Sequence, residues 1–231
     1  GWGLVFGFVY GAYGALPMAP VPDCGPDNQE ACPSDLDDWD NVSWIPEKSL
    51  DSVRTEELTM GSGVSLDRAL RLTAGRWDVP VAVLDSGIYW RRDRLLKKLY
   101  LNAGELPKPL LEDGSTAETW DADGNGLFNI DDYRWDSRIS MEAGDEDGHH
   151  VLDPSDLIAT FSDGVDDDGN GYVDDISGWD FFSGDNNPFA QLQTGFASHG
   201  SGVAEEAADA AGDGGGIGMC PNCAVIPVRI G

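Results

Sequence analysis

Oxygen-bearing side chains recur between Asp121 and Asp132 at intervals that suit a metal-binding loop. Counted from Asp121, they stand at positions 1, 3, 5, 9 and 12, with glycine at position 6 and a leucine carbonyl at position 7. A tight loop of this kind directs about six to eight oxygens at one point, which is the coordination that Ca²⁺ requires. The spacing therefore predicts a calcium site with the ligands Asp121, Asp123, Asn125, Leu127, Asn129 and Asp132.

A run that starts at Asp166 repeats the first five positions of this pattern, but serine stands at its position 12. The full pattern is that of an EF-hand loop with the position-12 aspartate of the dockerin-like variant. The shorter run predicts a second calcium shell made of Asp166, Asp168, Asn170, the Tyr172 carbonyl and Asp175.

Between these two runs lies a degenerate copy that starts at Asp145. His149 stands at its position 5, and His150 stands at position 6, where the first loop has its turn glycine. The backbone conformation at this position favours a residue without Cβ. The copy is predicted either as an empty structural partner or as a weaker calcium site formed by Asp145, Asp147, Asp153 and Asp156. Zinc on the two adjacent histidines is a weaker alternative. One to three calcium ions are expected in all.

The charge distribution supports bound cations. The chain carries a formal net charge of −28, and the segment 111–187 holds 22 acidic side chains and only two basic ones. Such a segment repels itself unless cations neutralise it. The same charge excludes nucleic acid and anionic membrane as partners, since both require positive protein surface.

The helices and strands that must position these loops can be predicted from Ser65 onwards. Ser65 is predicted to cap a helix over 67–72, and helical spacing recurs over 91–101 and 199–211. The unbroken apolar runs 79–84 and 224–230 are typical of strands buried on both faces. Strand, helix and strand in this order predict an α/β fold with a parallel sheet. Asp85 would then lie at the carboxyl end of a strand, where open sheets collect site residues.

Two segments on these elements resemble the subtilisin-like (subtilase) serine peptidases. The segment 81–87 (VAVLDSG) is similar to that family's strand ending in D-[ST]-G, and 199–204 (HGSGVA) is similar to its H-G-T-x-V-A. The stretches 166–181 and 185–188 resemble bacterial subtilases with acidic insertions, and 220–229 resembles the strand after the histidine helix. The likeness extends from about Ser65 to the end of the chain.

This resemblance implies an α/β fold, the N-terminal half of a subtilase-like parallel-sheet domain, with EF-hand/dockerin-like calcium loops inserted at about 111–187. It implies that Asp85 orients His199 and that His199 is the general base of a secreted endopeptidase acting on polypeptides. The family's nucleophile lies in a downstream G-T-S-x-A motif that this sequence lacks, so the chain alone is expected to be inactive. The alternative is a non-catalytic, extracellular, calcium-dependent binding or adhesion module that retains the half-fold.

The segment 2–16 is apolar and rich in glycine, and it is too short for a stable membrane span. It predicts that 1–20 are the remnant of a secretory signal, with a buried apolar segment as the alternative. Residues 21–60 would form an N-terminal extension and 61–231 the partial catalytic domain.

The four cysteines form two close pairs in the sequence. In an exported chain such pairs predict two local disulfides, one between Cys24 and Cys32 and the other between Cys220 and Cys223. The C-x-x-C spacing of the second pair also suits a redox or half-zinc motif.

Overall fold

The computed structural model describes residues 64–91, 93–140, 151–190, 199–210 and 216–231. The predicted secretory remnant (1–20), the extension over 21–60, Asp145 and Asp147 lie outside these residues. In the described part of the chain, no helix combines the length and the hydropathy that a membrane span requires.

The described elements alternate short helices with three strands. In chain order they are α1 (Leu66–Ala69), β1 (Val81–Asp85), α2 (Asp93–Leu96), a 3₁₀ helix (Ile130–Tyr133), α3 (Pro154–Phe161), β2 (Trp179–Asp180), α4 (His199–Ala208) and β3 (Val225–Arg229). Within the described residues, one compact unit comprises 64–76 and 206–222, and the other comprises 77–205 and 223–231. The second unit contains the whole sheet.

The sheet is parallel and has the order β1-β3-β2. The register pairs Val81 with Val225 and Asp85 with Arg229, and Asp180 of β2 also pairs with Arg229. The carboxyl ends of all three strands therefore meet around Arg229. This confirms the predicted α/β class and the two predicted strands, whereas β2 was not predicted.

The prediction that β1 is buried on both faces is wrong. Val83 is 4% exposed, but Leu84 on the opposite face is 59% exposed, since neighbouring residues of a strand point to opposite sides. Only one face of β1 is covered within the described part of the chain.

Two helix predictions also fail in part. Ser65 has a left-handed backbone (φ 61°) and makes no side-chain capping bond, because a cap residue needs extended backbone. The predicted helix over 91–101 shrinks to α2 because its second half joins the sheet. Leu99 forms a parallel bridge with Val225, and the Tyr100 N–H donates to the Val225 carbonyl at 2.8 Å.

An apolar core anchors the acidic segment to the rest of the second unit. Ile130, Tyr133, Leu157 and Ile176 of that segment are buried together with three leucines that precede it, Leu96, Leu101 and Leu106. Burial of each such side chain is worth about 1.5–3 kcal/mol, so this packing holds the segment in place against the mutual repulsion of its carboxylates.

The two predicted disulfides have different outcomes. Cys220 and Cys223, which precede β3, form a disulfide, which confirms the bond predicted for this pair. Cys24 and Cys32 lie outside the described residues. The disulfide between Cys24 and Cys32 therefore stays a prediction.

Candidate functional site

Asp85 and His199 are in contact at the carboxyl end of β1. Asp85 is the last residue of that strand and His199 is the first of α4. Nδ1 of His199 lies 2.8 Å from Oδ1 and 2.9 Å from Oδ2 of Asp85. The carboxylate therefore accepts from Nδ1, which directs the other ring nitrogen, Nε2, away from Asp85. The imidazole is 67% exposed and the carboxylate 19% exposed, so the ring is accessible while its partner is largely covered.

The carboxylate of Asp85 is held in the ionised form. Burial raises its pKa, but hydrogen bonds from the Ser86 N–H (2.7 Å to Oδ1) and from His199 outweigh this effect and leave the pKa below its usual value. The Ser86 hydroxyl adds a further lowering contact. An ionised, oriented carboxylate is what fixes an imidazole tautomer and stabilises an imidazolium.

Two glycines allow the strand end and the helix start to approach each other. A Cβ at Gly200 would lie under 3.0 Å from the Gly87 carbonyl oxygen and 3.2 Å from the Asp85 Cβ. Gly87 itself has φ +87°, and a Cβ there would lie 2.5 Å from the Pro188 carbonyl oxygen. The glycines of the D-S-G and H-G-S segments are thus required by the close packing that brings His199 to Asp85.

The serines beside these glycines hold the same junction together. The Ser201 hydroxyl is buried and accepts from the Tyr89 N–H at 2.8 Å. The Ser86 hydroxyl accepts from the Gly200 N–H at 3.3 Å. Both hydroxyls therefore position the backbone around the Asp85–His199 pair.

An ion pair between the partly exposed Arg229 and the buried Asp180 joins the carboxyl ends of β3 and β2. Arg229 Nη1 donates to Asp180 Oδ2 at 2.9 Å, and Asp180 is 1% exposed. The second oxygen of Asp180 accepts from the Phe182 and Ser183 N–H groups. Sequence reasoning assigned no role to this pair, because it forms only when β2 lies beside β3.

The acidic loops form a second potential site. In 121–126, the Asn125 N–H donates to Asp121 and Asp123 at 3.1 and 3.0 Å, and the Gly126 N–H donates to Asp121 at 2.9 Å. In 166–171 the corresponding distances are 3.0, 2.9 and 2.8 Å. The paired glycines also match, with φ of +72° and +88° in the first loop and +72° and +97° in the second. Equal spacing in the sequence has therefore produced equal loop conformation.

Among the described residues, two groups of carboxylates could hold a metal ion. One is Asp121, Asp123 and Asp132, and the other is Asp168, Asp175 and Glu105. Within each group the potential ligand oxygens lie within 4.8 Å of one another. Burial raises the pKa of Asp132 to about 6, and burial also raises the pKa of Asp175. Such raised values indicate negative charge that the protein alone stabilises poorly.

The other predicted ligands of the two loops make different contacts. The side-chain oxygens of Asn125 and Asn170 accept from the N–H two residues onward, at Leu127 and Tyr172. Asn129 accepts from the Asp131 N–H and caps the 3₁₀ helix. Both carboxylate oxygens of Asp166 accept loop N–H groups.

Asp153 and Asp156, from the degenerate copy, form the capping box of α3. Asp153 Oδ2 also pairs with Arg91 Nε at 2.9 Å. The start of α3 is favoured by the proline at its first helical position and by the capping pair, in which Asp153 is the cap and Asp156 lies three residues after it.

Glu105 is the potential ligand that sequence reasoning missed. It lies 63 residues before Asp168, outside every acidic run, so no local spacing indicates it.

No protein-family model and no curated protein matches the chain.

Proposed function

We propose that the chain supplies the acid–base pair of a secreted, subtilisin-like serine endopeptidase. The observation that carries this proposal is the Asp85–His199 contact, formed where the D-S-G strand end meets the H-G-S helix start. Each motif alone is compatible with a purely structural role. Their direct hydrogen bond, with an exposed ring and an ionised carboxylate, favours catalysis.

In the proposed reaction, Nε2 of His199 accepts the proton of a serine hydroxyl as the oxygen attacks the peptide carbonyl. Asp85 stabilises the imidazolium that forms, and His199 then returns the proton to the leaving amine. Water repeats the sequence to release the acyl group. The serine would come from a G-T-S-x-A segment, which these 231 residues do not include, so the chain by itself is expected to hydrolyse nothing.

Reconstitution tests this function. The chain is combined with a fragment of a subtilisin-like peptidase that carries the serine motif, and hydrolysis of a fluorogenic polypeptide is followed. Asp85→Asn and His199→Ala should each lower the rate by roughly 10³–10⁴, while Asp113→Asn, at an exposed position, should not change it. Hydrolysis that survives His199→Ala would contradict the proposal.

A second candidate is a non-catalytic, calcium-dependent binding module outside the cell. The two carboxylate groups favour it, because oxygen-only clusters on tight loops fit a hard cation such as Ca²⁺. When bound, the ion would offset the repulsion within the acidic segment. Chelation should then lower the melting temperature and expose 111–187 to proteolysis. Calcium-dependent stability without hydrolysis in the reconstituted system would favour this candidate over the peptidase.

A further inference from the structure

Glu105 carries a buried carboxylate oxygen that has no hydrogen-bond partner in the part of the chain that the structure describes. The residue is 5% exposed. Its Oε1 accepts from the Asp168 N–H at 3.1 Å, but its Oε2 is buried and no group among the described residues donates to it. A buried carboxylate with a missing donor is costly, because the oxygen has lost water and gained nothing in exchange.

The surroundings of Glu105 add negative charge to it. Oxygens of Asp168 and Asp175 lie within 4.8 Å of its ligand oxygen. Burial raises the pKa of Glu105, and the charges of these two aspartates raise it further. Within the described residues, none of the three carboxylates forms an ion pair with lysine or arginine. Among the described side chains, the neutral amides of Asn102 and Asn170 are what donate to the two aspartates, so the negative charge of the group is not balanced by a cationic side chain.

Asn102 arranges the three carboxylates. Its Nδ2 donates to Asp168 at 2.9 Å and to Asp175 at 2.7 Å, and its Oδ1 accepts from the Gly104 N–H at 2.9 Å. A Cβ at Gly104 would lie 2.5 Å from the Asp168 Cβ, so the turn 102–105 fits closely against the loop 166–175. Glu105 also lines an open cavity of about 430 Å³, and Asp168 is exposed, so a small ion can reach the group from the side of Asp168.

We infer that Glu105, Asp168 and Asp175 together bind one Ca²⁺ ion. Three carboxylates and no nitrogen or sulfur suit a hard divalent cation, and an irregular oxygen shell suits Ca²⁺ better than Mg²⁺, which demands near-octahedral geometry. The inference rests on the calcium proposal above and deepens it, because it adds a ligand from outside the acidic loops.

This ion would act differently from one bound at 121–132. The Asp121, Asp123 and Asp132 ligands lie within a single loop, whereas Glu105 and Asp168 are 63 residues apart. The turn that carries Glu105 is flanked by the buried Leu101 and Leu106 of the core. Calcium bound here cross-links the acidic segment to that core, so its loss loosens a tertiary contact rather than one loop.

Calorimetric titration of the full chain with Ca²⁺ tests the site. Glu105→Gln keeps the size of the side chain and its acceptor for the Asp168 N–H, but it removes the charge. It should weaken one binding event by about tenfold or more, since ligand charge sets calcium affinity, and leave the other events unchanged. The control Glu112→Gln, at an exposed position outside both carboxylate groups, should titrate like the wild type.

Thermal unfolding separates ion binding from a merely structural role. In excess Ca²⁺, Glu105→Gln should melt below the wild type. In EDTA it should melt at the same temperature or higher, because the substitution removes an uncompensated charge. Asp175→Asn should show the same reversal, which keeps the test valid if Glu105→Gln does not fold.

Four results would overturn the inference. Identical titrations of wild type and Glu105→Gln, or equal destabilisation with and without Ca²⁺, would reject Glu105 as a ligand while leaving calcium binding by the loops intact. Equal competition by Mg²⁺ would reject the choice of ion. A wild-type chain that binds no Ca²⁺ would reject both this inference and the calcium proposal on which it rests.

Discussion

Substituting the two glycines of α4 by alanine should give opposite results. In the interior of a helix, alanine is more favourable than glycine by about 0.8–1 kcal/mol. Apart from its own helix and chain neighbours, no atom of the described residues lies within 4 Å of the position that a Cβ would take at Gly202, so Gly202→Ala should gain most of this amount. At Gly200 the new Cβ would meet the backbone of Gly87 under 3.0 Å, and backbone cannot rotate away as a side chain can.

The size of the difference follows from these contacts. Overpacking of this kind costs about 1–3 kcal/mol, which exceeds the gain in helix propensity. Gly200→Ala should therefore be less stable than Gly202→Ala by about 1–3 kcal/mol, or about 2–4 °C in melting temperature for each kcal/mol. The helix start must also shift away from β1, which would break the 2.8 Å contact between His199 and Asp85.

Urea unfolding of the two variants measures the stability, and NMR of the His199 ring measures the contact. Gly200→Ala should lose the downfield Nδ1–H resonance of a hydrogen-bonded imidazole, whereas Gly202→Ala should keep it. If Gly200→Ala is as stable as Gly202→Ala and keeps this resonance, then the glycine is not what lets the two motifs meet, and the packing argument is wrong.

Three further predictions concern individual aspartates. The pKa of Asp85 is lower in the folded chain than in the unfolded chain. The ionised carboxylate therefore stabilises the fold at a pH above its unfolded-state pKa of about 4, and this stabilisation is lost as the pH falls through the lower folded-state pKa. The stability difference between wild type and Asp85→Asn, measured by urea unfolding across pH, should shrink in acid, and a constant difference would contradict this. Burial raises the pKa of Asp132 to about 6, so in EDTA its ionisation should destabilise the fold as the pH rises from about 4 to about 6. Asp132→Asn should remove that decline, and an unchanged pH profile would count against it. Asp153→Ala removes the cap of α3 and the partner of Arg91, which should cost about 1–3 kcal/mol in urea unfolding; a loss below about 0.3 kcal/mol would show that the cap is unimportant.

The loops and the two main strands could be predicted because their determinants are local. The hydrogen bonds that shape 121–126 and 166–171 join residues at most five apart, so spacing alone specifies them. The apolar runs that became β1 and β3 are similarly continuous in the sequence. Parallel pairing then brings Asp85 and His199 within reach, and the predicted contact between them is present.

Elements that depend on distant partners were predicted poorly. The segment 98–100 has helical spacing, yet it pairs with the first residue of β3, and this gain in sheet hydrogen bonds shortens α2. The two-residue strand β2 exists only because β3 lies beside it. Leu84 belongs to an apolar run but is exposed, because burial depends on what covers a face and not on the run itself.

For this protein, residue types and short spacings determined which groups can take part in chemistry: an aspartate, a histidine and two oxygen-rich loops. Tertiary structure decided which of these groups meet. It brought His199 into contact with Asp85, which the close backbone approach at Gly87 and Gly200 allows, and it brought Glu105 to Asp168 across 63 residues. The physical reason is that the local hydrogen bonds of a tight turn are specified by a few adjacent residues. The burial and charge of a side chain such as Glu105 depend instead on neighbours that only folding brings near.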